Sequence, residues 1–176
     1  MSQIRAQAMS RSDIRQIANK FREGLGLQEV VYFPVVEVFE ILPILYEGLS
    51  TEIVNDHELK DRYAETDIEN KVIRVRQSIY DNAVEGDGFS RMTLMHEVGH
   101  YECLVNQPLR FNREPDHVKL KPYEDPEWQA KCFAGEVMMP DNKVCRMGFG
   151  ETIKKCGVSS AAASYYHTYV KKKDRA

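Results

Sequence analysis

The stretch that decides the fold reads RMTLMHEVGHYECL, residues 91–104. His96 and His100 stand four apart, with Glu97 directly after the first. On an α-helix such positions differ by about 40° of rotation, so both imidazoles leave nearly the same face. Two rings placed this way can grip one zinc ion at about 2.0–2.1 Å each. Glu97 flanks that face, beside the ion, where a base must stand to take a proton from an attacking water. The ordinary alternative is an amphipathic helix that carries the pattern by accident, with Leu94, Val98 and Tyr101 as its apolar side. Gly99 argues against accident. Glycine weakens a helix by about 1 kcal/mol relative to alanine, and its presence makes sense if another backbone or a substrate must approach closely.

Outward from this stretch, Asp87-Gly88 interrupts the chain and Ser90 is predicted to cap a helix running to about Val105. Upstream, KVIRV (71–75) is the clearest strand, rich in β-branched residues. Residues 49–54 and 62–67 read as further strands, and Glu69-Asn70 as a turn. Near the N-terminus a helix is predicted from Ser12-Asp13, with Ile14, Ile17, Ala18 and Phe21 at helical spacing and Gly24 and Gly26 after it. A second helix opens at Phe33-Pro34, carries Val35, Val38, Phe39 and Leu42, and ends at Pro43. Ile44 to Tyr46 reads as a short strand. Downstream, four prolines between 106 and 126 predict an irregular loop. Residues 127–139 read as a helix stopped by Pro140, and a last helix pair, broken by Gly157, fills roughly 150–172. Helices, then strands, then helices predict an α+β fold: a small antiparallel or mixed sheet packed with the HEVGH helix and the helix that follows it.

Composition narrows the function classes. A net charge of −3 over 176 residues does not suggest a nucleic-acid binder, and the run Lys171-Lys172-Lys173 reads as a solvated tail. The most apolar stretch, VVYFPVVEVFEILPILY (30–46), is interrupted by Pro34, Glu37, Glu40 and Pro43, too broken for a membrane span. Residues 1–20 are polar and mixed in charge, without the apolar core of a secretory signal. Cys103, Cys132, Cys145 and Cys156 show no CxxC spacing and are expected as reduced thiols in a cytoplasmic protein.

A catalytic zinc needs a third protein ligand and an open fourth position. The downstream candidates are Glu102, Glu114, Asp116, His117, Glu124, Asp125, Glu127 and His167. Most lie in the proline-rich segment, a poor rigid support. Glu127 opens the helix EWQAKCFAGEVMMP (127–140). Ala130, Ala134 and Met138 share its face, joined by Phe133 and Val137. The small Ala130 and Ala134 would let this helix pack tightly on the first and carry Glu127 toward the histidines. Equally, Glu127 is a first-turn glutamate of the kind a helix dipole favours. The residues alone leave both readings open.

The two segments together resemble the ImmA/IrrE family of metallo-endopeptidases, which occur beside phage-type and stress-response repressors. The family's first motif reads roughly R-x-T-L-x-H-E-x-G-H, matched here by Arg91, Thr93, Leu94, His96, Glu97, Gly99 and His100. The second reads roughly E-x-x-A-x-x-F-A-x-x-L-[LM]-M-P, matched by Glu127, Ala130, Phe133, Ala134, Met138, Met139 and Pro140, with Val137 where leucine is common. The match covers roughly residues 70–140 well. The resemblance implies a gluzincin-like site, with His96, His100 and Glu127 on one zinc per chain and Glu97 as base. It implies a zincin-like peptidase domain, taken as residues 1–145, with residues 146–176 as a helical extension packed on it. It also implies proteolysis of a helix-turn-helix repressor or other regulatory protein. Many relatives carry a fused N-terminal helix-turn-helix; none is expected here. The segment between the motifs is individual, so substrate identity does not carry over.

A reading from a different class rests on IKKCGVSSAAASYY (153–166), which is similar to the second half of a helix-turn-helix. It describes a DNA- or partner-binding regulator with a vestigial metal site. Base-reading positions would carry Arg, Asn or Gln; here they are mostly Ser, Ala and Tyr, so a packing module is expected. Tyr101, Tyr123, His117 and Arg113 remain open as a second electrophile. Arg91 and Thr93 support the site or simply the helix, and the structural role is favoured for Thr93. KVIRV is either a sheet-edge strand able to pair with a peptide or a covered interior strand.

Overall fold

Polar starts and apolar spacings select the first elements. The computed structural model describes residues 2–105, 112–115 and 119–170, with the backbone alone at 2, 3 and 112–115. Strand β1 (Ser2–Arg5) leads to helix α1 (Arg11–Gly24). Ser10, rather than the expected Ser12, caps α1. The Asp13 N–H donates to Ser10 Oγ at 3.2 Å, and the Ser10 N–H donates to the Asp13 carboxylate at 2.8 Å, a reciprocal capping box. Ile14, Ala18 and Phe21 are buried, as their spacing predicts. Helix α2 (Val35–Leu45) buries Val35, Val38, Phe39 and Leu42. Pro43 lies inside α2 instead of ending it, and the strand expected at 44–46 does not form. A proline in the last turn removes only its own donor, and the Tyr46 N–H still reaches the Leu42 carbonyl at 2.9 Å.

Strands β2 (Ser50–Val54), β3 (Ala64–Asp67) and β4 (Val72–Arg76) form a mixed sheet in the order β2-β4-β3. Asp67 tightens the β3–β4 turn by accepting from the Glu69 and Asn70 N–H groups at 3.1 and 3.0 Å. KVIRV is therefore the central strand, parallel to β2 and antiparallel to β3, and its edge-strand reading is corrected; β3 is an edge. The reason is two-faced demand. Ile73 and Val75 are fully buried, while Arg74 on the outer face stands opposite Glu52 and Glu65 and contacts them at 2.9 and 3.4 Å. Only a central position supplies both partners.

Helix α3 (Gln77–Val84) precedes α4 (Gly88–His100). Asp87, not Ser90, caps α4: both the N–H and the hydroxyl of Ser90 donate to Asp87 Oδ2 at 2.8 Å. The helical run does reach Val105, because a wider π-turn continues it over Tyr101–Val105. The loop expected between the motifs holds strand β5 (Asn112–Pro115), antiparallel to β1. Asp116 and His117 lie outside the described residues, as do Lys171, Lys172 and Lys173.

Helix α5 (Pro126–Met138) stops short of Pro140, as read. The short α6 (Asp141–Val144), α7 (Phe149–Cys156) and α8 (Ser160–Tyr165) follow. Gly157 separates α7 from α8 with a left-handed φ of 60°. The fold is α+β. Its core stacks Phe21 between Phe33 and Phe133, at ring-centroid distances of 6.2 and 5.5 Å. Cys156, Val158, Ala163 and Tyr166 join the same buried cluster. All four cysteines are free, and burial pushes the Cys103 thiol up to about 12. Among the described residues no helix is long and apolar enough to cross a membrane.

Arg22 is buried in this core and donates to the Val137 and Leu27 carbonyls at 2.7 Å each, and to the Val30 carbonyl. Arg22→Met should cost about 3 kcal/mol, since it leaves three acceptors without their charged donor. Urea unfolding measures this, and a loss below about 1 kcal/mol would show that those carbonyls recover other partners.

Candidate metal centre

The centre is assembled by two helices that meet at a residue without a side chain. A Cβ built on Gly99 would stand 2.9 Å from the Ala130 carbonyl oxygen, 3.0 Å from Ala130 Cα and 3.2 Å from a Phe133 ring carbon. The close approach anticipated for Gly99 is thus that of the α5 backbone. Ala130 and Ala134 are buried at the contact. Glu127 lies about one turn before Ala130, so this contact brings it to the histidines. Asp125 fixes the start of α5 by accepting from the Glu127 N–H at 3.0 Å, with Pro126 in the first turn.

Glu127 Oε2 stands 3.2 Å from His96 Nε2, and Glu127 Oε1 stands 3.3 Å from His100 Nε2. The two imidazoles are edge to face, with an interplanar angle of 87°. One ligand atom from each residue falls within 4.8 Å of the others, the one such grouping among the described residues. Hydrogen bonds from His100 and His96 hold the Glu127 carboxyl well below the usual carboxylate range, against an opposing effect of burial.

Glu97 is buried and lies beside this group. Thr66 of β3, unmarked in the sequence, is its partner: the Thr66 hydroxyl lies 2.7 Å from Glu97 Oε2 and 3.1 Å from the Glu97 carbonyl oxygen. Its one available signal is its parity with Ala64 on the inward side of β3. Two clefts, of about 550 and 840 Å³, share Ala64, His96 and Glu97 in their walls. The first is lined mainly by apolar side chains; the second holds Thr66, His100, Asp125 and Glu127.

Four of the other third-ligand candidates, Glu102, Glu124, Asp125 and His167, have partners elsewhere. Glu102 is buried beside Tyr46, and Glu124 accepts from Arg5 at 2.6 Å. Asp125 caps α5, and His167 Nε2 stands 3.0 Å from Thr152 Oγ1. Glu114 and Arg113 are described by backbone alone. Among the candidate electrophiles, Tyr101 is buried against Tyr46, with centroids 5.2 Å apart, and neither Tyr101 nor Tyr123 lines the two clefts. Thr93 donates to the Phe89 carbonyl at 3.0 Å, a structural bond. Arg91 is structural too. It donates to the Gly157 and Phe33 carbonyls at 2.9 and 2.7 Å and lies 3.9 Å over the Tyr32 ring.

Paired imidazoles and a carboxylate on crossed helices, with a buried glutamate alongside, are the equipment of metal-dependent peptidases. Residues 50–147 match the family model described as the IrrE N-terminal-like domain, a peptidase family. The match spans more than half of the chain and contains both helices of the centre. The chain belongs to this family and is a metallopeptidase-type protein. No curated protein matches it at a significant level.

The Gly99 contact is directly testable. Gly99→Ala should destabilise the protein by about 1–3 kcal/mol, because its Cβ meets backbone that cannot rotate away. Elsewhere in a helix the same change would stabilise by about 1 kcal/mol. A melting temperature at or above wild type would show that α5 yields without cost.

Proposed function

We propose that the protein is a zinc-dependent endopeptidase in which His96, His100 and Glu127 are the metal ligands and Glu97 is the catalytic base. The reading is carried by the spacing of the donor atoms. One ligand atom from each of the three residues lies within 4.8 Å of the others, and the two Nε2 atoms stand 3.2 and 3.3 Å from separate oxygens of the one carboxylate, close enough to converge on a common ion about 2.0–2.2 Å from each ligand. Two imidazoles and one carboxylate are a donor set suited to zinc, one ion per chain, with a position left for water and substrate.

When bound, zinc supplies Lewis acidity that lowers the pKa of water and polarises the scissile carbonyl. Glu97 takes the proton of the attacking water and delivers it to the leaving amine. Thr66 holds Glu97 Oε2, which fixes the orientation of the carboxylate. An extended peptide is supported along the edge strand β3, which forms one wall of the groove. We assign the catalytic unit to residues 1–145 and regard 146–176 as an extension packed on it. The natural substrate is a helix-turn-helix repressor or another regulatory protein in the cytoplasm, as the family resemblance suggests. Nucleic acid is not a partner, in keeping with the net negative charge.

Variants at three positions separate the roles. Glu97→Gln should keep one zinc per chain and an unchanged melting temperature, while cleavage of an unfolded protein or repressor substrate falls about 10²-fold or more. Glu127→Ala should lower zinc affinity and the thermal stabilisation that zinc confers. Thr66→Val should lower kcat about tenfold with KM, zinc content and melting unchanged, and Thr66→Ser should restore it. Full zinc in Glu127→Ala with loss in Glu97→Gln would reverse the two carboxylates. Wild-type cleavage by both glutamate variants would make HEVGH an accident of sequence.

A further inference from the structure

The cleft of about 550 Å³ beside Glu97 has walls from several parts of the chain, Arg11 of α1 among them. Tyr63 comes from the approach to β3, Phe89 and Met92 from α4, Trp128 from α5, and Tyr165 from α8. Its size is within the range of sites that enclose small ligands or side chains. Tyr63, Phe89 and Tyr165 are each about half exposed at its rim, at 54%, 47% and 46%. Tyr63 and Phe89 meet edge to face with centroids 5.2 Å apart, which sets one lip of the cleft. Tyr165 is held in place by a side-chain bond. Arg11 donates to the Tyr165 hydroxyl at 3.1 Å, and to Glu136 of α5 at 3.0 Å. Large aromatic rings kept half in water around a concave apolar surface mark a binding site rather than a core.

Position assigns the occupant. The cleft shares Ala64, His96 and Glu97 with the second, more polar cleft, so the two are halves of one groove that meet at the proposed catalytic base. A peptide lying in that groove has one flank of its scissile bond against aromatic rings and the other against Thr66, Asp67 and Asp125. We propose that the aromatic cleft is a specificity pocket for a large apolar side chain next to the scissile bond, and that α8 supplies its outer wall. This rests on the peptidase reading above. Ala162 and Tyr165 of α8 and Arg11 of α1 all lie outside residues 50–147. The part of the groove that selects substrates is thus built partly by segments that the family model does not include.

Trp128 is the chain's single tryptophan, so its fluorescence reports occupancy whether or not anything is cleaved. Zinc-loaded full-length protein is titrated with N-acetyl-phenylalanine methylamide and with the alanine and lysine analogues. The phenylalanine probe should bind at least about tenfold more tightly than either, as expected for burying a large apolar side chain. Ala162→Phe, which fills the cleft from α8, and Tyr165→Ala, which opens its wall, should each weaken that binding about tenfold or more, with zinc content unchanged. Mass spectrometry of a peptide library digested by the wild-type protein should show aromatic and long aliphatic residues enriched at one flanking position. Ala162→Phe should shift that position to smaller residues. Equal binding of the three probes, binding indifferent to both variants, or a flank without preference would overturn the proposal. So would a dimer that Ala162→Phe dissociates, which would assign the cleft to a second copy of the chain. Selective probe binding without any cleavage would leave the pocket standing and remove the peptidase reading; cleavage without flank preference would do the reverse.

Discussion

The structure depends on the contact between Gly99 of α4 and the Ala130 backbone of α5. A helix pair that touches through two full side chains holds its axes about 8–10 Å apart. Here one partner has no Cβ and the other only a methyl group, and the Ala130 carbonyl stands 2.9 Å from where a Gly99 Cβ would lie. Everything at the centre follows from that proximity. A carboxylate side chain is short, and Glu127 can meet two imidazoles at 3.2 and 3.3 Å only if its helix runs this close to theirs. The cost is a glycine near the end of the helix that bears both histidines, offset by complete burial of Phe133 at the same contact.

Around this contact, two buried arginines fasten loops to helices. Neither relies on a carboxylate in the bonds that hold it. Arg22 reaches three backbone carbonyls, and Arg91 reaches the carbonyls of Phe33 and Gly157. A guanidinium offers five N–H donors in a rigid fork, which suits several carbonyls converging from separate chain turns. Arg91 belongs to the same motif as the histidines, yet its work is to pin the α7–α8 corner to the helix that bears them. Through it the C-terminal helices are held in register with the groove.

The polar elements of the site are held by neighbours in the same spirit. Glu97 is buried and could turn in several directions; Thr66, one strand away, removes that freedom. Asp125 and Pro126 set where α5 begins, and so where Glu127 sits. Each constraint is local and modest, and together they place four side chains without a long-range charge network.

The sequence by itself determined the helices with strong periodicity and the two motif histidines, because i and i+4 share a face whatever surrounds them. Ile14, Ala18 and Phe21, and likewise Val35, Val38 and Leu42, declared their buried faces by spacing alone. It also singled out Gly99 as a position that something must approach. It left Glu127 undecided between ligand and helix-start residue, since both roles ask for a glutamate in a first turn. Only the tertiary structure decided that β4 is central with β2 and β3 at the edges, because register and strand order depend on partners distant in the chain. The β1–β5 ladder, the bond from Thr66 to Glu97 and the aromatic cleft completed by α8 were illegible for the same reason. Each joins segments whose local patterns are ordinary, and the information lies in their distance in space rather than in their spacing along the chain.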